Sequence, residues 1–385
     1  MKRGIINDLD LGFYTQARRE KRAPLNWLTD KVLEAEEKDG RDPSEALQKH
    51  IEATQRHLGV TDPLSRRGQM AAGIACQTYG VKRELQARRI NLYSDTCEKF
   101  FGPGSETDSP LWPAMLASSF IVARVSSGLA DLMTFADVQV ESMSVDKVRL
   151  NEAADARQMR NVGLGEDLPE TSISAVETNV KMRKYGRYLR YVREVTTMTP
   201  LAVVQGFIRQ IGMQRAVDET DEVLEILHAG DGESGSAVTD TTPATDATLV
   251  YNDLVKLELA FSNGYMGRVY VADATNFQTI LQMSEYKDPL AARGVRTDRD
   301  MPSVPTPSGG GLIYRWQSTG STYMAETGGR IAAVDPSQAC WIARSSLLED
   351  AEDIVRSSQV GVALSYRMAV IKGDPNCFKS LDITA

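Results

Sequence analysis

The chain has 385 residues with a formal net charge of -8, 25% of them charged and 42% hydrophobic, enough for two domains or for one domain with large appendages, and enough to bury a core without disulfide staples. An acidic chain of this kind is not a nucleic-acid coat as a whole, so any contact with phosphates has to be local. No stretch approaches the roughly 18 apolar residues of a membrane helix and Met1–Asp8 lacks the apolar centre of a signal peptide, which points to a cytoplasm. The scattered Cys76, Cys97, Cys340 and Cys377 have no CxxC spacing and are expected to be buried free thiols.

Residues 1 to about 105 read as helical, broken at Lys21–Pro24, Gly40–Pro43 and Gly59–Pro63. The clearest helix has Asp42 as cap, Pro43 at its first position, Leu47, Ile51 and Leu58 on one face and Gly59 as terminator. Its apolar stripe is thin, so the region is expected to lie along other protein surface. His50 and His57 fall seven apart on that helix, too far for joint metal ligation, and are expected to be solvated.

Gly102–Pro110 reads as a linker, followed by helix-like runs over Leu111–Ala123 and Leu129–Val140. Val138 to Val195 reads as a long two-stranded excursion, and a lone hairpin is marginal in water, so it is expected to rest on a partner. Its return strand, Lys181 to Arg193, carries six cations, three tyrosines and no acid, which predicts one packed face and one charged face. Three readings of Lys181, Arg183, Lys184, Arg187 and Arg190 stay open: docking onto acidic patches of a neighbouring copy, contact with nucleic-acid phosphates, or a solvated strand face.

Thr199 and Pro200 then open one long helical pattern, with Thr199 the expected cap. Leu201, Val204, Phe207, Ile208 and Ile211 form its expected core stripe, continued by Val217, Val223, Leu224 and Leu227, over roughly 40 Å. Gly230–Asp246 reads as a domain junction. Its Gly230-Asp-Gly-Glu-Ser-Gly235 matches G-x-G-x-x-G but follows a helix and opens a linker, the wrong context for a dinucleotide loop. A second unit follows: a helix from Asn252, a buried strand at Arg268–Ala272, a helix at Asn276–Met283, a loop at Pro302–Gly311, and strands at Leu312–Trp316, Arg330–Val334 and Ala339–Ala343. Gly361–Ile371 and Cys377–Ile383 close the chain. The mixture is α+β without a βαβ rhythm. No P-loop, H-E-x-x-H or G-x-S-x-G is present, and no catalytic, cofactor-binding or metal-binding residue is assigned.

In this order the elements resemble the major capsid proteins of tailed bacteriophages with the Hong Kong 97 type fold. The spine helix ends in His228-Ala-Gly-Asp-Gly232, Thr248–Lys256 with Arg268–Asp273 is similar to the entry of the family's axial domain, and Val362–Phe378 is similar to its closing hairpin, with an aromatic-Arg pair (Tyr366, Arg367) and an Asp-Pro turn. The resemblance covers about residues 111 to 385 and implies a helical N-terminal arm at 1–110, a peripheral domain with the spine helix at 111–139, 192–230 and 366–385, an extended loop at 140–191 and an axial domain at 247–365. The N-terminal helical region is longer than a minimal arm. By this resemblance the protein is no enzyme and needs no cofactor. It self-assembles, as pentamers and hexamers, into an icosahedral shell that encloses phage double-stranded DNA without specific binding, forms in the bacterial host cytoplasm and resides in the virion. Scaffolding, portal or decoration proteins are its further partners, and no membrane is involved. The alternative is an encapsulin-like compartment around a cargo enzyme. A third reading, an unrelated enzyme, requires a deep pocket of converging polar groups.

Overall fold

A computed structural model describes residues 24–58, 66–87, 89–91, 111–140, 142–151, 174–192, 199–231, 237–243, 248–262, 264–287, 303–316, 329–354 and 359–383, with single positions between some of these. The expected linker at Gly102–Pro110, the terminator Gly59, Cys97, Arg193 and the Gly232–Ser236 part of the junction lie outside the described residues. In chain order the helices are α1 (Pro24–Lys38), α2 (Pro43–His57), α3 (Arg66–Ala87), α4 (Leu111–Ser127), α5 (Ala130–Met133), α6 (Leu201–Ala229), α7 (Tyr251–Leu259), α8 (Ala274–Gln282) and α9 (Ser284–Lys287). The strands are β1 (Ala136–Gln139), β2 (Ser144–Asn151), β3 (Ser174–Lys181), β4 (Arg183–Val192), β5 (Val269–Ala272), β6 (Ser303–Pro305), β7 (Leu312–Arg315), β8 (Arg330–Val334), β9 (Cys340–Arg344), β10 (Leu348–Ile354), β11 (Gln359–Lys372) and β12 (Phe378–Asp382).

The N-terminal helices are more than an arm. Asp42 caps α2 by accepting from the amides of Ser44 and Glu45, as its sequence predicts. Both α1 and α2 lie along α3, and Leu25, Trp27, Leu28 and Val32 are buried against Ile74, Tyr79, Val81 and Leu85. That cluster continues without a break into Ala114–Ala117 and Phe120 of α4, so the bundle lies along the chain's own surface. At its centre Glu36 accepts from Tyr79 at 2.8 Å and from Arg83 at 2.6 Å. Beyond α5 the expected helix to Val140 gives way to β1, because the parallel partner β9 supplies ladder bonds to this backbone.

The 29 residues of α6 span about 43 Å at about 1.5 Å per residue. Its N-cap is Pro200, with no side-chain cap, instead of the expected Thr199. The amide of Leu201 donates to the Asp95 carbonyl at 3.1 Å. Packing against α4 is close at Gly212, where a Cβ would stand 2.7 Å from the Phe120 carbonyl oxygen. The helix stops at Gly230, whose φ of 87° suits glycine. Lys372, fully buried, donates its ammonium to the Leu227 carbonyl in the last turn of α6, where a cation also meets the negative end of the helix dipole.

Among the described residues, two five-stranded sheets and a separate hairpin complete the fold. The first sheet runs β1-β9-β11-β10, with β4 on the other side of β11, and the second runs β12-β8-β5-β7-β6. The hairpin is β2 with β3, from Ser144↔Lys181 to Asn151↔Ser174. These pairings redraw the expected divisions. β4 leaves the 140–191 excursion and joins the first sheet, because its backbone pairs with β11 from Gln359↔Val192 to Met368↔Arg183. β9 and β10, expected in the axial unit, also pair with β11, whereas the final strand β12, expected with the peripheral unit, pairs with β8. Tyr270, Ile313 and Leu381 of the second sheet form a core with Phe277 and Ile280 of α8, beneath α7 and α8. α7 starts at Tyr251, where Asp253 accepts from the Val250 amide, so Asn252 is not its cap.

Candidate assembly interface

The five cations predicted to meet a partner all stand exposed on one strand and its root. Lys181 ends β3, and Arg183, Lys184, Arg187 and Arg190 follow on β4. Side chains alternate along a strand, and the buried Val362, Leu364, Tyr366 and Met368 of β11 define the face toward α6. By register Tyr185, Arg187 and Leu189 share that inner face, while Lys184, Tyr188 and Arg190 share the outer one. The cations therefore occupy both faces, which corrects the expected single charged face. Tyr188, 46% exposed, lies over Gly361, where any Cβ would collide with its hydroxyl. Arg183 reaches Glu222 at 3.9 Å, an exposed contact of little worth by itself.

The exposed side of α6 carries apolar groups. Leu201 and Ile208 are buried and Val204 and Ile211 pack partly against the core, but Phe207 is 53% exposed, with Val203 at 61% and Met213 at 44%. Phe207 is thus not core. The buried stripe runs through Leu201, Ile208, Gly212, Ala216, Thr220 and Leu224 instead, and small residues and a hydroxyl take up much of it.

Beneath β4 a network of charges fixes the strand to the helix. Glu219, 3% exposed, receives Arg344 at 2.9 Å, Arg124 and Arg215 each at 3.5 Å, and the hydroxyl of Tyr366. Burial works to raise the Glu219 pKa, but the guanidiniums of Arg344, Arg124 and Arg215 outweigh it and hold it at about 2. Arg344 also pairs with Asp137 and, at 3.6 Å, with Asp131, whose own pKa is raised by burial against the pull of the arginines. Arg215 stacks 3.9 Å from the centre of the Tyr185 ring and donates to Tyr366. Burial also raises Glu222, and it pushes the Tyr185 phenol up to about 12.

Sequence reasoning missed this network, since charges on α4, α5, β1, α6 and β9 have no spacing that joins them. It also passed over Leu348-Glu-Asp-Ala-Glu-Asp-Ile354, which forms β10 with Glu349, Asp350, Glu352 and Asp353 between apolar ends. The signal was available: four acids in a strand-length run, opposite in charge to the basic run earlier in the same chain.

A cleft of about 620 Å³ separates α3 from the first sheet, lined among others by Gln69, Gln77, Phe120, Asp137, Arg344 and Ser346, with no His, Cys or Lys among the described residues of its wall. Among the described residues no group of three or more His, Cys, Asp or Glu is arranged to hold a metal, and no helix is long and apolar enough to cross a membrane. Cys340 and Cys377 are buried and Cys76 is half-buried, all as free thiols. His57 is exposed, but the expected solvation of His50 does not hold: it packs 5.5 Å from the Tyr79 ring with Thr78 at 3.2 Å, because α2 lies against α3.

No family model and no curated protein matches the chain. Among solved structures it is similar to the capsid of an empty GTA particle, at 14% identity over 68% of this chain and 90% of that chain, with a TM-score of 0.49. It is similar also to a structure of Microbacterium phage Oxtober96, at 13% identity over 67% and 91% of the two chains with a TM-score of 0.45. A virus-like particle from Pyrococcus furiosus matches at 10% identity over 69% and 98%, with a TM-score of 0.46.

Proposed function

We propose that this chain is a structural subunit whose copies build a closed protein shell. More particularly, it serves as the major capsid protein of a tailed bacteriophage, of the Hong Kong 97 type that its order of elements resembles, and encloses double-stranded DNA. The observation that carries this reading is the β2–β3 hairpin. Eight residues on each strand pair with one another, and the main contact with the rest of the described chain is at the root, against β11. A two-stranded ribbon is marginal in water, so it gains its stability by resting on a second copy. The exposed Val203, Phe207 and Met213 on α6 give such a neighbour an apolar surface. Many weak contacts of this kind, repeated under closed symmetry, sum to a stable shell.

Light scattering and negative-stain imaging of the purified protein test this directly. Closed particles of uniform size are expected, and a monodisperse monomer at micromolar concentration overturns the reading. Particles that carry a protein cargo and no nucleic acid would move the assignment to an encapsulin-like compartment.

A further inference from the structure

The first sheet has two edges of opposite charge. β10 and β4 flank β11, and among the described residues neither pairs with a further strand on its outer side. β10 contributes Glu349, Asp350, Glu352 and Asp353 and no cation, while β4 contributes Arg183, Lys184, Arg187 and Arg190 and no acid. On β4 Arg183 and Arg187 fall on one face, Lys184 and Arg190 on the other. The two edges of the sheet are thus opposite in charge, acidic along β10 and basic along β4.

An open strand edge is a template for pairing with another chain, and like charges along it select against pairing with an identical edge. An acidic edge against an acidic edge repels, as does basic against basic. The arrangement that satisfies both is head to tail.

We propose that the basic edge of β4 in one copy docks along the acidic edge of β10 in the next, so that the first sheet continues from copy to copy around a ring. This rests on the shell reading above and names the surface that receives the basic run. The contact is heterologous: each subunit offers one edge and receives the other, which closes into a ring when the rotation per step divides the circle.

The test uses the full chain in three variants. Arg187→Glu with Arg190→Glu makes the basic edge acidic, Glu349→Lys with Glu352→Lys makes the acidic edge basic, and the third variant combines both. Either reversal alone is expected to abolish particles while circular dichroism and melting stay those of a folded chain, and the combination is expected to restore them. Particles from either single-edge variant, or no rescue by the combination, overturn the proposal. If a reversal prevents folding, wild-type protein decides. Particles assembled from an equal mixture of light and 15N-labelled chains are treated with a zero-length carbodiimide. Cross-links from Lys184 to the Glu349–Asp353 segment that join one light and one heavy peptide support the contact. Their absence, or links within single chains alone, overturns it. Wild-type chains that form no particles at all remove the shell reading itself, and this proposal with it.

Discussion

The phenolic hydroxyl of Tyr185 donates to Glu222 of α6 across 2.6 Å, two residues after the chain enters the first sheet at Arg183. This bond fastens the foot of the β2–β3 ribbon to the long helix, and Arg215 stacked on the same ring holds the phenol in place. Tyr185→Phe removes the donor and leaves a raised, half-buried carboxyl without it. The expected loss is about 1.5–3 kcal/mol, the range for a hydrogen bond to a charged group. Hydrogen exchange of the amides in β3 and β4 should speed up, and unchanged exchange would show that the foot is held elsewhere.

Glu219 is the shared acceptor of three arginines, so its removal strands buried cations. Glu219→Gln should cost about 3–5 kcal/mol, read as a fall in the denaturant midpoint. The wild-type contribution also depends on pH. A carboxyl held at about 2 in the fold against 4.5 unfolded stabilises fully above pH 4.5, and that stabilisation is lost as pH falls from 4.5 towards 2. The loss amounts to about 3 kcal/mol by linkage. Melting temperatures across that window should drop less steeply in the variant than in wild type.

Ile208 and Phe207 are neighbours in sequence with opposite fates, which separates folding from assembly. Ile208→Asp places an unpaired charge in the core and should prevent folding, at a cost of several kcal/mol. Phe207→Asp falls on the exposed side of α6 and should leave the melting temperature nearly unchanged while it reduces particle yield. Circular dichroism reports the first effect and sedimentation the second. An unfolded Phe207→Asp chain would contradict the exposed position.

His50 is kept neutral by burial, and next by the nearby Lys82, with its pKa lowered to about 4. A base whose folded pKa lies below its unfolded value of 6.5 stabilises the fold above that value, and the stabilisation is lost as pH falls from 6.5 to 4. Partial solvent access scales the effect to on the order of 2 kcal/mol. His50→Gln should flatten melting temperature against pH between 6.5 and 4, and leave the lower window governed by Glu219 intact.

Most of the elements were legible because their signals are local: the Asp42-Pro43 start, the apolar run at Val269–Ala272, the Gly230 stop and the pattern of Leu312–Arg315 all coincide with observed boundaries or lie within a residue of them. Strand partners were not legible. β4 reads as the return of an excursion, and only its antiparallel register with a strand about 170 residues later moves it into the first sheet. The core stripe of α6 was misplaced at Phe207 because apolar residues fall all around this helix. Gly212 and Ala216, which mark the buried side by letting α4 approach, carry no hydrophobic signal of their own. The N-terminal bundle was underrated because α2 has a thin stripe, and its partner α3 supplies what α2 lacks.

Lys372 stands where three directions meet. It ends β11 of the first sheet, it is three residues from the turn at Pro375–Cys377 that leads into β12 of the second, and its ammonium grips the last turn of α6. That single side chain is therefore a pivot, and α6 is the lever. A tilt of about 5° at the grip moves the far end of a 43 Å helix by about 4 Å, nearly the spacing between two strands. In a ring of copies the error would recur at every step and change the curvature of the whole wall. A fully buried amine, shielded from water and salt, is the kind of joint that keeps such leverage from acting.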